Sequence, residues 1–174
     1  LAGMQVLRLD IKAFFPSVDQ TRLLRELREA GIAPRAWHLV RKSLRNPTVP
    51  AGTARSQRAA YRHPGIPQGI PFANYLADRY LEVFDDFVLA RSVWYHRFVD
   101  DMLIVIDGSP SAFRADIERT LAGVGLELNV QKSGPSRAAT EPIDFLGYRL
   151  ALVPLDVSVR KQNINGFFRS IAAI

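Results

Sequence analysis

Three aspartates stand where acids are costly. Asp10 closes the alternating run Val6-Leu7-Arg8-Leu9-Asp10-Ile11, and Asp100-Asp101 lies between Val99 and Met102. Alternation of apolar and polar residues marks a strand, so these carboxylates are expected at strand ends among apolar neighbours. There they would be partly desolvated and would repel one another, a cost normally offset by a shared cation. The chain has no cysteine, and His38, His63 and His96 lie far apart without a zinc-ligand spacing. Ligands limited to hard oxygen suit magnesium, with manganese serving in its place. Two such ions about 3.5 to 4 Å apart stabilise the attacking and leaving oxygens of phosphoryl transfer. The plainer alternative for each aspartate is a surface charge or a polar turn. Asp85-Asp86 is an internal control: it falls on the polar side of a helical pattern, where solvation is easy, and it reads as structural.

The elements that must position these residues follow from periodicity. Val6 to Ile11 reads as a strand running into an aromatic pair closed by Pro16. Ser17 or Asp19 caps a helix with Leu23, Leu24, Leu27 and Ile32 on one face, and a second helix spans 34–44. Residues 45–71, rich in Pro, Gly, Ser, Thr and Arg, read as an irregular insertion. A long amphipathic helix over 71–91 places Leu76, Tyr80, Val83 and Phe87 inward and Asp78, Glu82, Asp85 and Asp86 outward. Two strands, 93–98 and 102–106, meet at a hairpin tip carrying Asp100-Asp101. Ser109-Pro110 opens a helix with Phe113, Ile117 and Leu121 on one face. A strand at 126–128, a closing hairpin of 143–153 with 155–159 around Pro154, and a helix from Asn163 complete the chain. This order predicts an α+β fold: an antiparallel sheet of split βαβ, ferredoxin-like type with helices packed on one face.

With 174 residues, 48% of them hydrophobic and 23% charged, the chain has the material for one domain core and is too balanced for a disordered tail. The lack of cysteine excludes a disulfide framework and thiolate catalysis. Lys+Arg 23 against Asp+Glu 17 gives a net charge of +6, which favours an anionic partner, nucleic acid above all. No apolar run reaches the roughly 18 to 20 residues of a membrane span, so no membrane partner and a cytoplasmic setting are expected. The start at Leu1, just before a strand, and the end at Ile174, inside a helical pattern, suggest an excerpt from a longer protein.

Five motifs in order carry a family resemblance. Asp10-Ile-Lys-Ala-Phe-Phe-Pro-Ser-Val18 resembles the first palm motif of reverse transcriptases, Gly65-Ile-Pro-Gln-Gly69 their Pro-Gln-Gly motif, and Phe98-Val-Asp-Asp101 their aromatic-x-Asp-Asp box. Leu128-Asn-Val-Gln-Lys-Ser133 is similar to the fourth motif with its lysine, and Asp144-Phe-Leu-Gly-Tyr148 to the Phe-Leu-Gly element of the primer grip. The resemblance implies a polymerase palm that copies an RNA template by adding deoxynucleotides to a DNA or RNA primer. It implies that Asp10 and Asp100 hold two magnesium ions with Asp101 beside them, and that Ile11 lends its backbone carbonyl to one. Phe15 would gate against a 2′ hydroxyl, with Phe14 and Phe98 near the substrate. Gln68 and Gly69 would meet the incoming nucleotide. Lys132 would protonate the leaving pyrophosphate or balance its charge. Phe145, Leu146, Gly147 and Tyr148 would hold the primer.

Within the family, Phe98 stands where tyrosine is commoner, and Ile70-Pro-Phe-Ala-Asn74 replaces a small serine-containing run. The implied placement is bacterial, of retron, group II intron-like or antiviral phage-defence type. Residues 1–159 would form the palm with a partial fingers insertion near 45–71, and 160–174 would begin a thumb helix. Arg41, Lys42, Arg45, Arg55, Arg58 and Arg62, with Tyr61 among them, either track a phosphate backbone or form a solvated loop. Two other readings compete: a non-catalytic nucleic-acid-binding palm, and an RNA-directed RNA polymerase, whose relatives usually place an acid near the sugar where this chain has Phe15. The oligomeric state is not legible from the sequence.

Overall fold

The first strand is the middle of the sheet. β1 (Gln5–Asp10) pairs on one side with β3 (Asp101–Ile106) and on the other with β4 (Arg137–Ala138), and β2 (Trp94–Phe98) flanks β3, all antiparallel. The order β2-β3-β1-β4 is that of the split βαβ unit. The computed structural model describes residues 3–45, 49, 52–57, 64–67, 69–152, 154–160 and 162–163.

A central strand buried on both faces needs two cores. Leu7, Leu9 and Ile11 of the β1 segment, with Met102, Ile104 and Ile106 of β3, face the helices. These are α1 (Phe14–Ser17), α2 (Gln20–Glu29), α3 (Pro34–Arg45), α4 (Ala73–Leu89) and α5 (Pro110–Ala122). The alternate residues Val6, Leu103 and Val105 join Ala139, Ile143 and Phe145 in a second core on the opposite face. That face is covered by a small sheet of β5 (Ile143–Phe145), β6 (Tyr148–Leu152) and β7 (Leu155–Val159). Helices thus pack on one face as expected, and the second, all-β layer is an addition to the expected plan.

Local chemistry sets the helix ends. Asp19 caps α2, its Oδ1 accepting from Thr21 N at 2.7 Å and Arg22 N at 3.2 Å. Ser109 caps α5 ahead of Pro110. The long helix turns Leu76 and Tyr80 inward as anticipated, with Phe87 partly buried, but not Val83. Leu76, Tyr80, Leu81, Phe84 and Val88 are buried, whereas Val83 is 65% exposed. The anticipated stripe held Val83 where the core takes Phe84, because the larger ring buries more apolar area. Tyr80 is fully buried, and its hydroxyl donates to Val124 O at 2.6 Å, fixing α4 to the turn after α5.

Three other segments depart from the expected reading. Residues 126–128 contribute only the bridge Ile11↔Leu128 instead of a strand. The run 143–153 breaks at Leu146-Gly147, where both residues have positive φ and Phe145 faces Tyr148 across a two-residue turn. A short helix, α1, follows Ala13 where a plain turn was expected. The helix expected from Asn163, and with it the proposed thumb segment, lies almost wholly outside the described residues.

The glycine-rich motif locks to the first one. Ile66 N donates to Phe15 O at 2.8 Å, and Gln20 Nε2 donates to Gly65 O at 2.7 Å. A Cβ at Gly65 would overlap Phe15 O and lie 2.6 Å from Pro16 Cα, so only glycine allows this approach. Gly65→Ala should therefore cost about 1 to 3 kcal/mol, read as a lower urea midpoint. Gly134→Ala, with open space around its Cβ, should stay within about 0.5 kcal/mol of the parent.

Candidate active site

Among the described residues Asp10 is the buried acid: its side chain is 4% exposed. The segment after α5 wraps around it. Asn129 N donates to Asp10 O at 2.8 Å, and Ser133 Oγ accepts from Asp10 N at 3.1 Å while facing Asp10 O at 3.4 Å. Ser133, itself buried, thus takes over the pairing that β4 supplies further back along β1. Asn129 Oδ1 accepts from Gln131 N at 3.2 Å and Lys132 N at 3.4 Å, forming a side-chain-closed turn. That turn presents Lys132, whose Nζ donates to Asp10 Oδ2 at 3.1 Å. The bond and the charge of Asp10 hold the Lys132 ammonium above its ordinary pKa. Asn129 and Ser133 were given no role in the sequence reading. The signal was present in Asn129-Val-Gln-Lys-Ser133, which combines a turn-forming Asn with a small hydroxyl.

Register places Asp101, not Asp100, directly across from Asp10. Both belong to the sheet face turned away from the helices. Asp100 lies in the turn, and its carbonyl accepts from Ile11 N at 3.0 Å. Burial raises the Asp101 carboxyl above its usual range; Arg8, 3.8 Å away, opposes this, and the charges of Asp10 and Asp100 add to it. Among the described residues, no three carboxylate or imidazole groups close into a metal-sized cluster. Asp10 and Asp101 face each other in register, with Lys132 and Arg8 as the cations set against them, and the charge of Asp100 is felt at both Asp101 and Lys132. The pairing answers the same repulsion that a metal ion would. One observation fits a cation nonetheless: Asp10 Oδ1 is buried and has no hydrogen-bond partner.

The hairpin tip is strained and clamped. Val99 has φ 58°, a left-handed conformation that a β-branched residue rarely adopts. Arg97 holds it: Nη1 donates to Val99 O at 2.9 Å. The same guanidinium, 6% exposed, grips Asp85 through Nε at 2.8 Å and Nη2 at 2.5 Å, and Tyr95 OH donates to Asp85 at 2.6 Å. Burial works against the Arg97 charge, but the Asp85 bonds and charge more than offset it and hold the group firmly protonated. Asp85 is structural, as read, yet it is not a solvated charge. It ties α4 to the tip that carries Asp100, while Asp86 is exposed.

The other expected site residues separate. Phe14 is buried in the helix-side core, so its ring is packing rather than a substrate surface; Phe15 is half-buried, with its ring centroid 5.5 Å from that of Phe14. Ile11 is buried beside the tip. Gln68 lies outside the described residues, and Gly69 occupies a turn with φ 87°. Phe98, opposite Asp101, is 56% exposed. In the β5–β6 hairpin Phe145 anchors in the second core, whereas Leu146 and Tyr148 are exposed around Gly147 at the turn.

Sheet order, the helix layer and the acidic hairpin define an α+β polymerase-type palm. Residues 4–150 match the family described as reverse transcriptase (RNA-dependent DNA polymerase), and the chain belongs to that family. No curated protein matches it. Solved telomerases share the fold. The apo enzyme from Candida tropicalis truncated from its C-terminal domain has a TM-score of 0.64 at 16% identity, covering 92% of this chain and 36% of that one. The Candida albicans enzyme in complex with a TWJ fragment of telomeric RNA has a TM-score of 0.62 at 15% identity, covering 92% and 31%. The chain spans about a third of the length of these telomerases, and at such identity the likeness is one of fold.

Removing Asp85 leaves the buried Arg97 with only the exposed Asp78, 3.2 Å from its Nη2, as a carboxylate partner. Asp85→Ala should cost about 2 to 4 kcal/mol in urea unfolding, and Asp86→Ala, about 100° further round the helix in solvent, less than about 0.5.

Proposed function

We propose that the chain is the catalytic palm of an RNA-directed DNA polymerase, adding deoxynucleotides to a primer 3′ hydroxyl. The observation that carries this reading is a buried Asp10 whose Oδ1 lacks a partner, in register with Asp101 at the head of a clamped turn. Family membership and the solved telomerases with telomeric RNA support RNA as the template. Within the family, the motif set favours a bacterial enzyme of retron, intron-like or phage-defence type.

In this reading Asp10, Asp100, Asp101 and the Ile11 carbonyl hold two magnesium ions. When bound, the ions activate the primer hydroxyl and compensate charge developing on the transferred phosphoryl group. Lys132, protonated and 60% exposed, is placed to neutralise or protonate the leaving pyrophosphate. Phe15 lies under the sugar, and Gln68 and Gly69 approach the nucleotide. Leu146 and Tyr148, exposed at the hairpin turn, meet the primer, with Phe145 as their anchor. The segments 1–159 and 160–174 would then serve as palm and the start of a thumb.

In the full protein, Asp100→Asn should lower primer extension by about a hundredfold or more, because transition-state charge goes uncompensated, with little change in melting temperature. Near-parental extension by the folded variant would refute the catalytic reading in favour of a binding palm. Phe15→Val should raise ribonucleotide over deoxynucleotide incorporation in single-nucleotide competition, since a ring leaves a 2′ hydroxyl no room and no hydrogen bond. A parent enzyme that already prefers ribonucleotides would point to the RNA polymerase alternative.

A further inference from the structure

Beside the aspartates, between the main sheet and the small one, lies a cavity of about 200 Å³. Arg8 on β1, Lys132, Arg137 on β4 and Arg149 on β6 line it, with Asp144 as the one carboxylate among the described residues. That acid is already shared: Arg149 Nε is 3.2 Å from its Oδ1 and Arg160 Nε 3.4 Å from its Oδ2. Arg137 has no acidic partner among the described residues, and Arg8 Nε is buried without a hydrogen bond. Arg8, Lys132 and Arg149 each have one carboxylate to one side, Asp101, Asp10 and Asp144 in turn, so with Arg137 the cavity wall keeps an excess of positive charge that an anion would offset. Guanidinium groups suit a phosphoryl oxygen geometrically, because they present planar forks of donors.

We propose that this cavity binds a phosphate-bearing anion. Its volume admits a compact group such as pyrophosphate, or one backbone phosphate presented at its mouth, and no nucleic-acid helix. Lys132 belongs both to the cavity and to the Asp10 contact, so an anion leaving the aspartates has a cationic path of one side chain. The binding itself is independent of the polymerase reading; only the origin of the anion rests on it.

The test is a calorimetric titration of the full protein with inorganic pyrophosphate in EDTA, without divalent ions or nucleotides. Arg137→Gln and Arg149→Gln should each weaken binding about tenfold, the order expected for one charge-assisted hydrogen bond. Arg25→Gln, an exposed arginine on α2, should leave it unchanged. Melting temperatures show that each variant is folded, and the two arginines on different sheets guard against one failing. Repeating the titration with an RNA–DNA hybrid present separates the sources. Additive binding assigns the site to a free polyphosphate, and competition with a parallel loss of hybrid affinity assigns it to a strand phosphate. Absence of pyrophosphate binding, or equal binding by parent and both variants, overturns the proposal. Since no nucleotide is incorporated, an inactive polymerase would leave this outcome untouched.

Discussion

A carboxylate buried on a central strand is the constraint around which this molecule is arranged. Burying Asp10 costs several kcal/mol in principle unless its charge and its backbone groups find partners. β4 is only two residues long and ends before reaching Asp10, so the 129–133 turn completes the pairing with a serine hydroxyl and an asparagine-closed loop. Lys132 supplies the opposing charge from solvent. The acid is thereby held rigidly on one oxygen and left open on the other, a division that a fully paired aspartate could not offer.

The second acid-bearing segment is held from behind. Val99 adopts a backbone conformation that costs of order 1 to 3 kcal/mol for such a residue. The bidentate Arg97–Asp85 pair, out of solvent and continued by Tyr95, fixes that turn against α4. The helix layer therefore contributes more than apolar packing. It sets where Asp100 and Asp101 stand relative to β1.

Much of this was legible in the residues. Element types followed from alternation in Val6 to Ile11 and from helical spacing in α2 and α5, and the acidic hairpin followed from two strands meeting at Asp100-Asp101. Its register did not, since a hairpin tip can close with either aspartate opposite Asp10 and only the turn at Val99 decides. Val83 and Phe84 were confused because adjacent apolar residues both satisfy a helical stripe within its width. The Leu146-Gly147 turn lacks the Asn-Gly signature of such turns and so reads as continuous strand. Asp85 looked solvated because its partner, Arg97, comes from another element, and pairing across elements leaves no trace in spacing.

The central position of β1 has a consequence for how the chain reaches this state. Its neighbours in the sheet come from roughly a hundred residues further on, Gln5 facing Ile106 on one side and Ala138 on the other. During synthesis β1 must wait for two strands made much later, with Leu7, Leu9 and Ile11 uncovered meanwhile. Long-range closure of this kind slows folding and prolongs exposure of an apolar strand. The helices α2 and α3, built from neighbouring residues, are the segments able to shield it first.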